Sequence, residues 1–480
     1  MDVMENTIAW WQVTPNVLWT DWLLYLLLIA IGIFVFHARK HEHLRAPWRL
    51  ILRRRLAMSS CIILLSFATI GILDSIHFRQ AVSVHSDGSL RYSNEAVSLF
   101  DQLVLPLKTN IEKTYSAPFA THLYAKENIE SADGTVRRDY PKLKYGGSHL
   151  INSKLSVGQD VRARGIVGVK NAALIMVAII FFFAIWQSVK QKQKLVTTLG
   201  RMWHGERGSY PWKTVFATLG IIVLLICLSQ QLAGVYHVFG TDKVGKDVYY
   251  LTLKSIRTGL VIGTLTTLVM LPFAIMLGIM AGYFRGWIDD FIQYIYTTLS
   301  SIPSVLLIVA FALMAQVLIE NNPDMFSNLQ NRADAKLLAL CLILGITSWT
   351  GLCRLLRGES LKLREADYIQ AAQAFGVSSF KIITRHILPN VMHIVLILVV
   401  LDFSGLVLAE AVLSYVGVGV DPSMISWGNM INGARLEMAR EPIVWWSLLA
   451  AFVFMLLLVL TANLFADAVR DAFDPRLRGQ

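Results

Sequence analysis

Long apolar stretches dominate this 480-residue chain, and polar residues collect between them rather than alternating with them. A hydrocarbon core of about 30 Å takes roughly 20 apolar residues per helix, and only hydrogen bonding within the segment satisfies the backbone there. Nine stretches meet that criterion: Leu18–Phe36, Leu56–Ile76, Val169–Trp186, Val215–Gly234, Gly259–Phe284, Ile288–Ile319, Ala335–Cys353, Val391–Val416 and Ile443–Ala466. The pattern predicts an all-α polytopic membrane protein with about nine transmembrane helices. Pro272 should kink the fifth, and Pro303 lies inside the long sixth, which should be bent or tilted. Asp74–Gly168 is polar, carries turn signals at Asp87-Gly88 and Asp133-Gly134, and shows no sustained helical period, so it reads as a small extracytoplasmic subdomain.

Basic residues orient the spans. His37–Arg55 carries Arg39, Lys40, Arg45, Arg49, Arg53, Arg54 and Arg55, and Gln187–Lys213 carries Lys190, Lys192, Lys194, Arg201, Arg207 and Lys213. Both belong in the cytoplasm by the positive-inside rule. Alternation then places Arg354–Asn390 and the tail with Arg470, Arg476 and Arg478 inside, and the N-terminus and Asp74–Gly168 outside. Four parts follow: 1–73, anchor spans with a basic cytoplasmic loop; 74–168, the outer subdomain; 169–238, two further spans with a second basic loop; and 239–480, a membrane core with the loop 354–390.

Composition agrees, with 55% hydrophobic and 16% charged residues excluding an ordinary soluble protein. The formal charge of +11 would suit nucleic acid only if basic residues shared a soluble, aromatic-bearing face, and here they lie between spans. No nucleic-acid partner is expected. Cys61, Cys227, Cys341 and Cys353 sit in or beside apolar segments, which argues against a disulfide framework. Trp10, Trp11, Trp19 and Trp22 precede or open the first apolar run with no basic segment before it, so that run reads as a retained anchor rather than a cleavable signal.

Catalytic chemistry has no visible residues. Gly240-Thr-Asp-Lys-Val-Gly-Lys-Asp247 imitates a phosphate-cradling loop, but Asp247 stands where a magnesium-binding hydroxyl is required and no buried strand precedes it. His37, His41 and His43 include a pair at zinc-ligand spacing, yet their basic surroundings repel cations and a solvated juxtamembrane stretch is preferred. Nucleophile elbows and zinc-protease motifs are missing. The chain is therefore read as a non-enzyme that binds no cofactor or metal itself.

The informative segment runs from Arg354 through Gly376 and Ser378 to His386-Ile-Leu-Pro-Asn390. It reads as a helix, a glycine break and a second helix that Pro389 ends. Ala371 and Ala372 let another surface come close. An amphipathic hairpin lying on the headgroups, using Ile369, Phe375, Phe380 and Ile383, is the alternative.

The set Gln370-Ala371-Ala372-x3-Gly376-x9-His386-x-Leu388-Pro389 resembles the EAA loop of ABC-importer permeases, whose coupling helices dock in a groove of the ATPase subunit. Further pieces are similar, in order, to C-type permeases of the dipeptide, oligopeptide and nickel branch. They are Gly240-Thr241-Asp242-x-x-Gly245-Lys246-Asp247, Ala281-Gly-Tyr-Phe-Arg-Gly-Trp287, Arg364-Glu365-x-Asp367-Tyr368, Leu408-Ala-Glu-Ala-Val-Leu-Ser414, Ser426-Trp-Gly428 and Asp471-x-Phe-Asp-Pro-Arg476. The resemblance covers Phe239–Arg478 and implies a type I, MetI-like permease core in a bacterial inner membrane. It also implies a B-type permease partner, two ABC ATPase subunits that carry ATP and magnesium, and an extracytoplasmic substrate-binding protein. Three departures stand out: Gln370 replaces the usual Glu, Lys246 replaces Arg, and about three spans plus the outer stretch precede the usual six.

Substrate is less legible. The branch implies di- and oligopeptides, peptide-like compounds or nickel, and no His or Met cluster in spans five to nine favours nickel. Asp402 and Glu410, acids inside the eighth span, are candidate pathway residues. They also motivate a rival reading, a proton-coupled secondary transporter, which inverted repeats would support and which leaves the cytoplasmic loop unexplained.

Overall fold

The computed structural model describes residues 13–40, 42–84, 90–93, 95–130, 136–150, 156–192, 210–323, 326 and 328–473, with 194, 197, 200 and 202 between. The turn signals at Asp87-Gly88 and Asp133-Gly134, the basic residues Arg201, Arg207, Arg476 and Arg478, and the side chains of His37, His41 and His43 lie outside this set.

Apolar stretches become helices as expected, with revisions that polar residues explain. The first is α1 (Trp19–Lys40), which takes in nearly all of the first expected stretch; α2 (Glu42–Arg53) and α3 (Arg55–Ser75) follow. The outer stretch begins as an antiparallel sheet in which β2 (His77–Val84) pairs with β1 (Val13–Pro15), β3 (Leu90–Tyr92) and β4 (Val97–Ser98). Two short helices, α4 (Leu99–Leu103) and α5 (Leu105–Thr109), and the hairpin β5 (Glu127–Glu130)–β6 (Val136–Asp139) complete it. Helices α6 (Val157–Gln191) and α7 (Trp212–Leu232) pair with each other, and α7 packs on α3.

The remaining helices form the core: α8 (Val248–Phe284), α9 (Trp287–Ser301), α10 (Ser304–Glu320), α11 (Leu329–Ser348), α12 (Thr350–Arg364), α13 (Asp367–Ala374), α14 (Ser379–Ile382), α15 (Leu388–Val416), α16 (Trp427–Glu437) and α17 (Trp446–Phe473). Among the described residues, seven helical segments are long and apolar enough to cross a membrane, with α11–α12 and α14–α15 each counting as one. The sixth expected span is instead the pair α9 and α10, bent by 88° at Ile302-Pro303. Asp289 and Ser300, near opposite ends of α9, bond to Arg357 and Arg354, which are less than one turn apart on α12, so α9 lies across that helix and only α10 rises. Helix α8 passes unbroken through Pro272.

Glycines set how closely these helices pack, because without a side chain the backbones can approach. A Cβ at Gly278 would lie 2.9 Å from the Cys353 carbonyl, and one at Gly282 would lie 2.6 Å from that of Arg357, so α12 rests directly on α8. Gly345 of α11 meets Val269 of α8 in the same way at 2.6 Å. The face carrying residues 365–387 is called lower below, and the face carrying the sheet upper; α8 and α17 descend, while α15 ascends.

Candidate functional site

The lower loop is built on one buried floor. Ile369, Ile382 and Ile387 are fully buried and pack with Ala281, Tyr283, Leu352 and Leu356. Above this floor, α13 closes in a Schellman motif: Gly376 donates to the Gln373 carbonyl at 2.9 Å and Val377 to the Ala372 carbonyl at 3.1 Å. Such a closure needs a left-handed residue, and Gly376 has φ +74°. The helical stretch expected before Gly376 is interrupted earlier, since Ala366 is extended (φ −71°, ψ 138°) and leaves Asp367 as the first residue of α13.

Pro389 does not end the second helix. Residues Ile383–Ile387 form a π-type turn and the helix continues as α15 to Val416, with Pro389 in its first turn. A wide turn accommodates a ring that would collide with the preceding turn of a regular α-helix.

Polar contacts fasten the loop to α8 and α9. Arg285 pairs with Glu365, and Gln370 donates to the Glu365 carbonyl at 3.2 Å. Arg364 lies 6.0 Å from the Tyr283 ring centre, and Gln373 donates to the Tyr283 hydroxyl at 3.4 Å. Tyr368 accepts from Asn390 at 3.1 Å and its ring lies 6.2 Å from that of His386. Leu388 packs on the buried floor, whereas Asp367, Gln370 and Ala371 are exposed and Ala372 is half-buried. Phe375 and Phe380 are 88% and 78% exposed, so two large rings flank Gly376 with little from the described residues on them. The supporting Arg357, held to Asp289 by bonds of 2.6 and 2.8 Å, could have been found only by knowing that α9 folds back.

The upper motif is the opposite kind of structure. Gly240 (φ +68°) and Gly245 (φ +80°) shape a turn closed by Thr241 pairing with Asp247. Asp242 accepts from the Val244 and Lys246 amides at 2.9 and 2.8 Å, and Asp247 caps α8 by accepting from Tyr249 at 2.8 Å. The outer segment then covers it. Ser116 donates its amide to Thr241 Oγ1 at 2.6 Å, Glu112 donates to the Gly245 carbonyl at 2.9 Å, and Trp446 donates its indole N–H to the Thr241 carbonyl at 3.0 Å. A Cβ at Gly245 would fall on the Glu112 carbonyl. The concavity that imitates a phosphate loop is thus filled by this chain's own backbone. Lys246 is exposed.

His237 joins the two layers, bonding Asp247 Oδ2 at 2.7 Å through Nδ1 and placing Nε2 3.5 Å from Glu112 Oε1. Burial works to lower the His237 pKa, but the bond to Asp247 and the Glu112 carboxylate outweigh it and raise the value to about 9. Burial likewise opposes ionisation of Glu112, yet His237 and the Gly146, Lys144 and Tyr145 amides bring it down to about 2.

Within the membrane core, Glu410 is 2% exposed and accepts from Ser414 and Ser426 at 2.8 and 3.0 Å, joining α15 to the start of α16. Asp402 is half-buried, with no hydrogen-bond partner among the described residues. Sequence reasoning passed over a third acid site: Arg257 of α8, 5% exposed, donates to Asp21 of α1 at 2.6 Å, and Asp21 also bonds His77 at 2.8 Å. Asp21 lies at the head of an apolar run and Arg257 just before one, a signal available from the first reading. Among the described residues no group of three or more metal-ligating side chains comes together.

Residues 274–479 match the family described as binding-protein-dependent transport system inner membrane component. The oligopeptide transport system permease protein OppC of Mycobacterium tuberculosis (strain ATCC 25618 / H37Rv) is 32% identical over 248 residues, 52% of this chain and 79% of the relative. The dipeptide transport system permease protein DppC of Bacillus subtilis (strain 168) is 28% identical over 242 residues, 50% of this chain and 69% of the relative. The glutathione transport system permease protein GsiD of Pectobacterium atrosepticum is 32% identical over 243 residues, 50% of this chain and 73% of the relative.

Proposed function

This chain belongs to the family of binding-protein-dependent inner-membrane components, the permeases of ABC importers, and from that premise we propose that it is the C-type subunit of a peptide importer. A B-type permease completes the pathway, two ATPase subunits grip the lower loop, and an extracytoplasmic binding protein delivers di- or oligopeptides, or peptide-like compounds such as glutathione, to the upper face. Relatives named for dipeptides, oligopeptides and glutathione support the substrate class.

The observation that carries the reading is the exposed pair Phe375 and Phe380 around a short helix braced from beneath by fully buried isoleucines. A rigid floor under an apolar crest transmits a push, and large exposed rings in a cytoplasmic loop have reason to persist only where another protein covers them. Phe375→Ala should therefore weaken co-purification of the ATPase and reduce its stimulation by loaded binding protein, with the thermal stability of the chain unchanged. Full stimulation and uptake in that variant would remove the coupling assignment.

Orientation follows the same reading, with the lower face cytoplasmic, the N-terminus outside and the C-terminus inside. In a background without the four native cysteines, an impermeant thiol reagent should label Asn128→Cys and spare Gln191→Cys in intact cells. The reverse pattern would invert the topology.

A further inference from the structure

Helix α2 takes no part in the lower loop, and it has two unlike sides. Arg45, Arg49 and Arg53 stand four residues apart and so fall within about 80° of one another; Arg45 and Arg53 are exposed. Pro47 and Ile51, both buried, lie on roughly the opposite side. There Ile51 packs with Ala468, Val469 and Ala472 of α17, and Trp48 meets Phe473 edge-on at 5.9 Å. Arg54 pairs with Asp471 at 2.5 Å. Helix α2 is thus fixed to the lower end of α17 and joins two apolar helices, which keeps it at the membrane boundary. Among the described residues no carboxylate pairs with Arg45, Arg53 or Arg55. Leu50 and Leu56, 45% and 68% exposed, set apolar surface beside the cations.

We propose that Arg45 and Arg53 of this row, together with Arg55 at the start of α3, form a binding site for anionic phospholipid, with the three guanidinium groups on the headgroup phosphates and Leu50 and Leu56 against the acyl chains. Guanidinium forks match phosphate oxygens, and juxtamembrane arginines are attracted to an anionic leaflet. The flanking leucines make a lipid, rather than a free anion, the fitting occupant. Because α2 is bolted to α17, which packs on α15, lipid charge bears on the same helix that rises from the lower loop.

The test titrates the full-length chain in detergent with dioleoyl phosphatidylglycerol or dioleoyl phosphatidylcholine, read by native mass spectrometry. Wild type should prefer phosphatidylglycerol. The triple variant Arg45→Gln, Arg53→Gln, Arg55→Gln should lower that preference on the order of a hundredfold, about fivefold per charge. Lysine at the same positions should keep most of it, and Arg137→Gln with Arg138→Gln on the upper face should change nothing. If the triple variant does not fold, Arg53→Gln alone carries the fivefold expectation. Equal retention of the two lipids by wild type, an unchanged preference in the glutamine variants, or displacement of lipid by equimolar inorganic phosphate would each overturn the proposal.

Discussion

The upper motif at 240–247 and the lower loop at 354–390 are both glycine-turned polar segments joined to α8, yet they solve different problems. In the upper one the Thr241, Asp242 and Asp247 side chains and the Gly245 carbonyl all find partners inside the chain, and Glu112, Ser116, His237 and Trp446 close over it. In the lower one the underside is equally well packed, but the crest around Gly376 is bare and carries Phe375 and Phe380 into open space. The difference separates a finished structural joint from a surface completed by another molecule. It also separates two reasons for a glycine. Gly245 is required by contact and by its φ, whereas Gly376 is required within this chain by its φ alone, since a Cβ there meets nothing within 4 Å.

Paired substitutions should exaggerate that contrast. Gly245→Ala sets a methyl group against the Glu112 backbone and forces an alanine into φ +80°. The left-handed conformation costs about 1–2 kcal/mol and overpacking roughly 1–3 kcal/mol more. The expected result is a clear drop in melting temperature and loss of protease protection in residues 105–150. Gly376→Val bears the backbone strain without a new contact, so it should melt closer to wild type than Gly245→Ala while uptake and ATPase stimulation are lost. Equal melting losses in the two variants would erase the distinction between the two sites.

This contrast bears on what the sequence could disclose. Apolar runs declare themselves through length, and the motif Gln370 to Pro389 was legible because it is contiguous. The bend at Ile302-Pro303 was visible only as a proline, since lying flat depends on Asp289 and Ser300 reaching α12 from far along the chain. Pro389 misled for a related reason: a proline's effect depends on the hydrogen-bond register around it, and a π-type turn removes the clash. The outer segment was the least legible. Glu112 and His237 lie 125 residues apart in sequence and carry no motif, and their relation appears only when the loop folds over the turn. Gln370 stood out as a departure from the usual Glu, and the uncharged amide bonds the Glu365 carbonyl.

Acidity offers a second, smaller lever, acting on the upper site alone. His237 is raised from 6.5 to about 9, so its contribution is complete below about pH 6.5 and disappears as pH rises through about 9. Glu112 is lowered from 4.5 to about 2, so its contribution is present above about pH 4.5 and is lost as pH falls toward 2. The clamp should be tightest from about pH 4.5 to 6.5, and should loosen by up to about 3 kcal/mol between pH 6.5 and 9. Hydrogen exchange of the Lys144, Tyr145 and Gly146 amides reports this directly. His237→Gln should flatten the alkaline limb while leaving the exposed amides around Gly376 unaffected, and an alkaline limb that persists in that variant would take His237 out of the account.

The smallest expected effect concerns the lower loop's own wiring. Gln370 Nε2 lies 3.2 Å from the Glu365 carbonyl and 3.5 Å from Glu365 Oε2, while Glu365 pairs with Arg285. Gln370→Glu restores the residue usual in the resembling family, but here it removes a donor and sets a second carboxylate beside Glu365. The two acids would then compete for Arg285. All three side chains are at least partly exposed, so solvent screening should hold the stability change below about 1 kcal/mol. Uptake should persist, with ATPase stimulation modestly altered at low ionic strength and restored near 1 M salt, where the screening length is about 3 Å. A complete and salt-independent loss of uptake would mean that Gln370 contacts the ATPase itself, and would group it with Phe375 and Phe380 rather than with the loop's internal wiring.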